Sequence, residues 1–136
     1  GATTAAAALT ALGAASASDL ATVRDSVSQA SAYSLNNLTL GSAMKRGNVY
    51  CERLGMLVLL HFNAVVFATS YSEAENHDVV VCTGAPAPRT TLPAYMLSST
   101  SSEVRVKVIS EGSVVMHWSS ATGGTEYTGL VAYIAA

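Results

Sequence analysis

SASDLATVRDSVSQASAYSLNNL, residues 16–38, divides an alanine-rich beginning from a valine- and tyrosine-rich remainder. Ser16, followed three residues later by Asp19, makes a capping-box-like start in which each side chain can serve a free amide of the first turn. Leu20, Val23, Val27 and Ala30 then recur at spacings of three, four and three, the stripe of a coiled-coil seam. Ser34 and Leu38 continue it at four and four, a stutter that relaxes a left-handed supercoil towards straight rods. The other faces carry Asp19, Arg24, Asp25, Ser26, Ser28 and Gln29. A helix this thin in apolar residues is stable only when its stripe is packed. So narrow a stripe suits copies of itself, and Leu20 and Val27 at a with Val23 at d lean towards three strands. The alternative is an amphipathic helix lying on its own domain.

Composition narrows the remainder. The chain has 136 residues, enough for one ordinary domain with an appendage or for one domain alone. Half are hydrophobic, but much of that is alanine near the start, so the core is smaller than the percentage suggests. The seven basic residues are scattered and the net charge is -2, which is not the footprint of a nucleic-acid binder. His61 and Asn63 interrupt the longest apolar run, 56–68, which falls short of the roughly 20 residues needed to span a bilayer, so no membrane insertion is expected. The alanine tract lacks the basic start and leucine-rich core of a signal peptide. Cys51 and Cys82 have neither a CxxC partner nor a histidine at ligand spacing. Each reads as a buried thiol, and a disulfide between them requires neighbouring strands. No metal site or cofactor is expected.

Residues 1–15 are low in complexity and read as a linker from a longer parent chain, either as a short helix stopping at Gly13 or as a loosely ordered lead-in. Asn36–Asn37 supply a helix stop, after which the period drops from near 3.6 to near two. The organisation expected is therefore a linker at 1–15, a coiled-coil helix at 16–38 and a β domain at 39–136. Strands are expected at 48–54, 56–68, 78–83, 103–110, 113–119 and 126–135. Glu111–Gly112 reads as a two-residue hairpin turn, and three prolines keep 84–93 in a loop. Short strands joined by short turns describe an antiparallel sandwich or barrel, a mainly β head carried on a helical segment. A β domain of this size buries roughly 60–65% of its unfolded surface, and association would add to that margin.

The order of these pieces resembles phage tail-fibre and receptor-binding proteins. ALGAASASDLATV (11–23) looks like the alanine-rich run and short coiled coil of tail fibres. Gly47-Asn48-Val49, Thr91-Leu92-Pro93-Ala94-Tyr95, the Val104–Val115 hairpin and Gly129–Ile134 are similar to segments of their terminal head domains. The aromatic usual between helix and first strand is absent, with Leu38, Leu40 and Met44 there instead. The resemblance implies a β-sandwich or jelly-roll-like head on a homotrimeric stalk, at the tail tip or baseplate of a virion and in contact with other tail or baseplate proteins. It implies synthesis in the bacterial host cytoplasm and adhesion to a host cell-surface polysaccharide or other receptor. Such heads carry no portable pocket motif, because their loops diverge.

The residues themselves suggest where binding would occur. Saccharides need flat apolar surface and several oriented hydrogen bonds, and loops above a rigid scaffold carry such groups disproportionately. Loop 69–78 combines Tyr71, Glu73, Glu75, Asn76, His77 and Asp78. Trp118, the single tryptophan, and Tyr127 are further candidates, although Trp118 is in phase with Val114 and Met116 and so also reads as core. His61 lies within an apolar strand and reads as a satisfied core or interface histidine. The loop carboxylates could in principle flank a sugar as hydrolases require, but one solvated loop is a poor scaffold for a fixed dyad. No GxSxG, phosphate loop or cysteine–histidine arrangement is present, and the chain reads as non-enzymatic. The rival readings are a structural neck module that only trimerises a fibre and, more remotely, a small carbohydrate-active enzyme.

Overall fold

In the computed structural model, which describes residues 4–11, 13, 17–73, 78–90 and 95–136, a long antiparallel hairpin organises the β region. It pairs β3 (Met44–Leu54) with β4 (Leu57–Phe67) through the turn at Gly55. Gly55 has φ 59°, as the first loop position of a II′ turn requires. Valine, leucine and phenylalanine at alternate positions give each strand one buried face: Val49 and Cys51 on β3, and Val58, Leu60 and Phe62 on β4. Fully burying one such aliphatic side chain contributes about 1.5–3 kcal/mol.

The chain divides into two units, Gly1–Ala32 and Tyr33–Ala136. The first contains α1 (Ala5–Ala11) and α2 (Ala17–Ser31). On α2, Thr22 and Ser26 hydroxyls donate back to the carbonyls four residues earlier, of Ser18 and Thr22. Leu20, Val23 and Val27 stand 60–61% exposed in the single chain. The side chain of Ala30, expected beside them, and the expected cap Ser16 lie outside the described residues.

The second unit is a sheet of nine described strands, antiparallel throughout, in the order β1-β3-β4-β9-β6-β7-β8-β5-β2. Its remaining members are β1 (Tyr33–Asn37), β2 (Thr39–Leu40), β5 (Val79–Thr83), β6 (Tyr95–Ser98), β7 (Glu103–Val108), β8 (Val114–Met116) and β9 (Glu126–Ile134). The two edge strands, β1 and β2, are consecutive in sequence and separated by Leu38 alone. The sheet is therefore nearly closed and barrel-like, so the choice between sandwich and barrel falls towards the barrel. The Leu38 amide donates to the Val49 carbonyl at 2.8 Å, the last bond of the β1 side, and Gly41 donates to Val81 on the other edge. A side chain at Gly41 would collide with the Val80 carbonyl, so this corner needs glycine.

This corner corrects the expectation of a helix running to Leu38. The helix ends at Ser31, and Tyr33–Asn37 pair residue by residue with Leu54–Tyr50. Tyrosine and asparagine are weak helix formers, and ladder bonds to β3 outweigh continuation of the helix. Leu38, expected in the helical seam, instead packs against the β core. Two smaller corrections concern turns and strands. Ile109 donates to Ser113 and Gly112 donates to Ile109, so the hairpin loop holds three residues with Gly112 at φ 82°, one more than expected. β6 and β2 are additional strands, whereas β8 stops at Met116 rather than Ser119.

Cys51 and Cys82 are both buried and free. Burial pushes the Cys82 thiol up to about 12, and it raises the Tyr133 phenol as well.

Candidate functional site

β8 ends abruptly for a local reason. His117 still donates its amide to the Arg105 carbonyl of β7 at 3.0 Å, but Trp118 turns to φ 47°. That left-handed conformation is costly for a bulky residue, by about 1–3 kcal/mol, and persists only where surrounding contacts impose it. Here the surroundings are visible: Nη1 of Arg105 donates to the Trp118 carbonyl at 3.3 Å, and the Arg105 amide donates to Ser119 Oγ at 2.9 Å. The turn breaks the alternation of β8, so Trp118 leaves the phase of buried Met116 and stands 46% exposed. Its ring meets that of His117 edge-on, with centroids 6.2 Å apart.

The 69–78 loop is stitched to this same turn. Tyr71 and Ala121 exchange both backbone hydrogen bonds, at 2.8 and 3.0 Å. The amide of Glu73 donates to Ser120 Oγ at 3.2 Å, and that of Gly123 to Ser70 Oγ at 2.9 Å. Where the loop rejoins the sheet, Nδ1 of His117 donates to Oδ1 of Asp78 at a long 3.4 Å. Two stretches read separately in the sequence thus form one rim, with Trp118 as its flat apolar element. Asp78, His117, Arg105 and the hydroxyl of Ser120 are its polar ones.

The individual candidates fare differently. Asp78, Glu73 and Trp118 lie on the rim, while Tyr71 is half-buried with its ring edge-on to Phe67, so its role in the loop is largely packing. Asn76 and His77, with Glu75, lie outside the described residues. Tyr127 is fully buried, packs edge-on against Phe67, accepts from the Thr122 amide at 3.0 Å and shares a hydrogen bond with Ser102 at 2.8 Å. It is a core tyrosine, out of reach of any ligand that leaves the barrel intact. Arg105 and Ser120 were not singled out in the sequence. Arg105 occupies an ordinary solvent-side position of an alternating strand, and nothing local to it signals that it holds the Trp118 turn.

Two depressions lie elsewhere on the described surface: one of about 320 Å³ beside Arg89 and Lys107, and a hydroxyl-lined one of about 520 Å³ between Ser98–Thr100 and Thr125–Thr128. Among the described residues no cluster of His, Cys, Asp and Glu is arranged to hold a metal ion.

No protein-family model matches the chain, and no curated protein matches it. Solved structures do. The head domain of lactococcal phage bIL170 superposes with a TM-score of 0.55 at 17% identity, covering 77% of this chain and all of that one. The receptor-binding protein of Listeria phage PSA superposes with a TM-score of 0.51 at 11% identity, covering 98% of this chain and 88% of the other. The fold of this chain is that of phage receptor-binding head domains.

Proposed function

We propose that this chain is the receptor-binding head of a phage tail protein, a virion component that attaches the particle to its host. The receptor is a cell-surface saccharide, bound on the rim formed by Asp78, His117, Trp118 and Arg105. One observation carries the reading: Trp118 is held outward in a strained conformation, beside a carboxylate and an imidazole. A sugar ring stacks its apolar face on an indole, and its hydroxyls pair with Asp78, Arg105 and the backbone of the turn. The action is adhesion and not catalysis. The working unit is a homotrimer joined through the Leu20–Val23–Val27 stripe, and three weak copies of one site gain avidity from effective concentration.

A neck module that only trimerises a fibre has the exposed stripe of α2 in its favour. It gives no role to the strain at Trp118. Binding of the purified chain to host cells and to an array of bacterial surface glycans separates the two. Cell binding that competing host polysaccharide abolishes is the expected result. No binding to host cells at micromolar trimer would leave the neck module.

A further inference from the structure

Arg24 and Arg46 pair with Asp25 and Glu126, and Arg53 and Arg105 donate to the carbonyls of Gly55 and Trp118. Arg89 and Lys107 differ. Neither side chain makes a hydrogen bond or ion pair with another described residue, yet both line one depression of about 320 Å³. Glu111, on the hairpin loop next to Ser110, pairs with neither. The walls of the depression are fixed by backbone bonds. The Arg89 amide donates to the Ile134 carbonyl at 2.9 Å, and the Ala136 amide donates to the Ala87 carbonyl at 2.8 Å. Earlier in the same segment the Ala85 amide donates to the Gly112 carbonyl at 3.0 Å, and a side chain at Gly112 would collide with the Ala85 carbonyl. Residues 85–89 are thus fastened to β9 and to the β7–β8 loop alike. Lys107, half-buried, borders the depression from β7, where it is paired with Val115 of β8.

We propose that this depression is an anion-binding site, taking the phosphate or carboxylate group of a small ligand between Arg89 and Lys107. Charge chooses the ligand. The chain as a whole carries a net charge of -2, yet two cations border one concavity and no described carboxylate offsets them. They repel each other until an anion lies between them. A planar guanidinium grips two oxygens of a carboxylate or phosphate at once, and an ammonium closes on the same group as a point charge. The exposed hydroxyls of Thr90 and Ser110 add hydrogen bonds, while Ile109 and the buried Val108 supply apolar contact for the rest of the ligand. The volume sits at the small end of ligand pockets, roughly 300–1,000 Å³, which suits a single ring. Because the walls are held by backbone bonds, little ordering is lost on binding. Lys107 lies two positions beyond Arg105 on the same face of β7, about 7 Å along the strand, so the site adjoins the Trp118 rim but stands on residues of its own.

The test titrates the whole chain with glucose 1-phosphate, glucuronate and glucose at low salt, following backbone amide shifts by nuclear magnetic resonance. Both anions should bind saturably with Kd of roughly a millimolar, moving the amides of residues 88–90 and 107–110, while glucose leaves those amides still. Whichever anion binds more tightly names the group, and either supports the site. Arg89→Gln and Lys107→Gln remove charges from positions outside the core, so both variants should keep the parent melting temperature. Each should weaken anion binding by about tenfold or more, the loss expected for a charge-assisted hydrogen bond. Trp118→Gly should bind the anions as the parent does, so this site and the rim succeed or fail separately. Affinities unchanged in both glutamine variants, or shifts that sodium chloride reproduces at equal ionic strength, would overturn the proposal. Binding lost in Trp118→Gly but kept in Arg89→Gln would transfer the anion to the rim and overturn it too.

Discussion

Nδ1 of His117 and Oδ1 of Asp78 stand 3.4 Å apart across 39 residues of sequence, joining the end of a polar loop to the turn that exposes Trp118. Each partner restrains the other's element, so the indole is presented from a surface tied at both sides. The pair is partly exposed, and its contribution to stability is small, about 0–1 kcal/mol. Asp78→Ala should therefore leave the unfolding midpoint nearly unchanged while weakening attachment to host cells. A folded variant that attaches undiminished would move the site off this rim.

Trp118→Gly separates strain from binding more sharply. Glycine adopts φ 47° without steric cost, so the variant should be as stable as the parent or more so, by up to about 1 kcal/mol. Attachment should fall with the loss of the stacking surface. A marked fall in melting temperature would show that the indole serves packing instead.

Tyr127→Phe should behave in the opposite way. Removing its hydroxyl leaves the Thr122 amide and the Ser102 hydroxyl without their partner inside the barrel, costing about 1–3 kcal/mol. Denaturant unfolding measures that loss. Attachment measured well below the melting temperature should match the parent.

Burial of Cys82 makes stability depend on alkaline pH. Its thiol is pushed up from 9.0 to about 12, so the folded chain holds a proton that the unfolded chain releases near pH 9. Stability is complete below pH 9 and falls as pH rises from there towards 12, by about 1.4 kcal/mol per unit for one group. The raised Tyr133 phenol acts in the same direction, beginning near pH 10. Urea midpoints at pH 7.5 and 10.5 should differ in the parent. They should differ less in Cys82→Ala, which is weaker overall because of the cavity it leaves.

Val27→Asp tests the helical seam. A charge set in the exposed stripe has no cost in a lone helix and a large one in a packed seam. Sedimentation should show loss of the trimer while the β unit keeps its circular dichroism. An unchanged mass would mean that the seam register is wrong.

Much of the barrel was legible in the order of residues. Val104, Val106 and Val108 alternate against Arg105 and Lys107, and the run 56–68 is too long and too branched for anything but a strand in a small β domain. Alternation is a local property, so one strand declares which face is buried without knowing its neighbours. The described ends of the 69–78 loop, residues 69–73 and 78, were legible for the same reason, since polarity and turn residues act on the segment that holds them. Local pattern misleads where two periods coincide. Ser34 and Leu38 fit a helical stripe as well as they fit β1 and its corner, and only pairing with β3 distinguishes them.

The site divides along the same line. Composition alone marked Asp78 and Trp118 as groups suited to a sugar, because that suitability belongs to the side chain. Tertiary structure alone decided that they share a rim, that Arg105 braces it, and that Tyr127 is sealed in the core. These are relations between segments dozens of residues apart, created when the sheet closes. The exposure of Trp118 is of this second kind: in a regular β8 it would lie beside Met116, and a single left-handed residue, held by hydrogen bonds from another strand, reverses it.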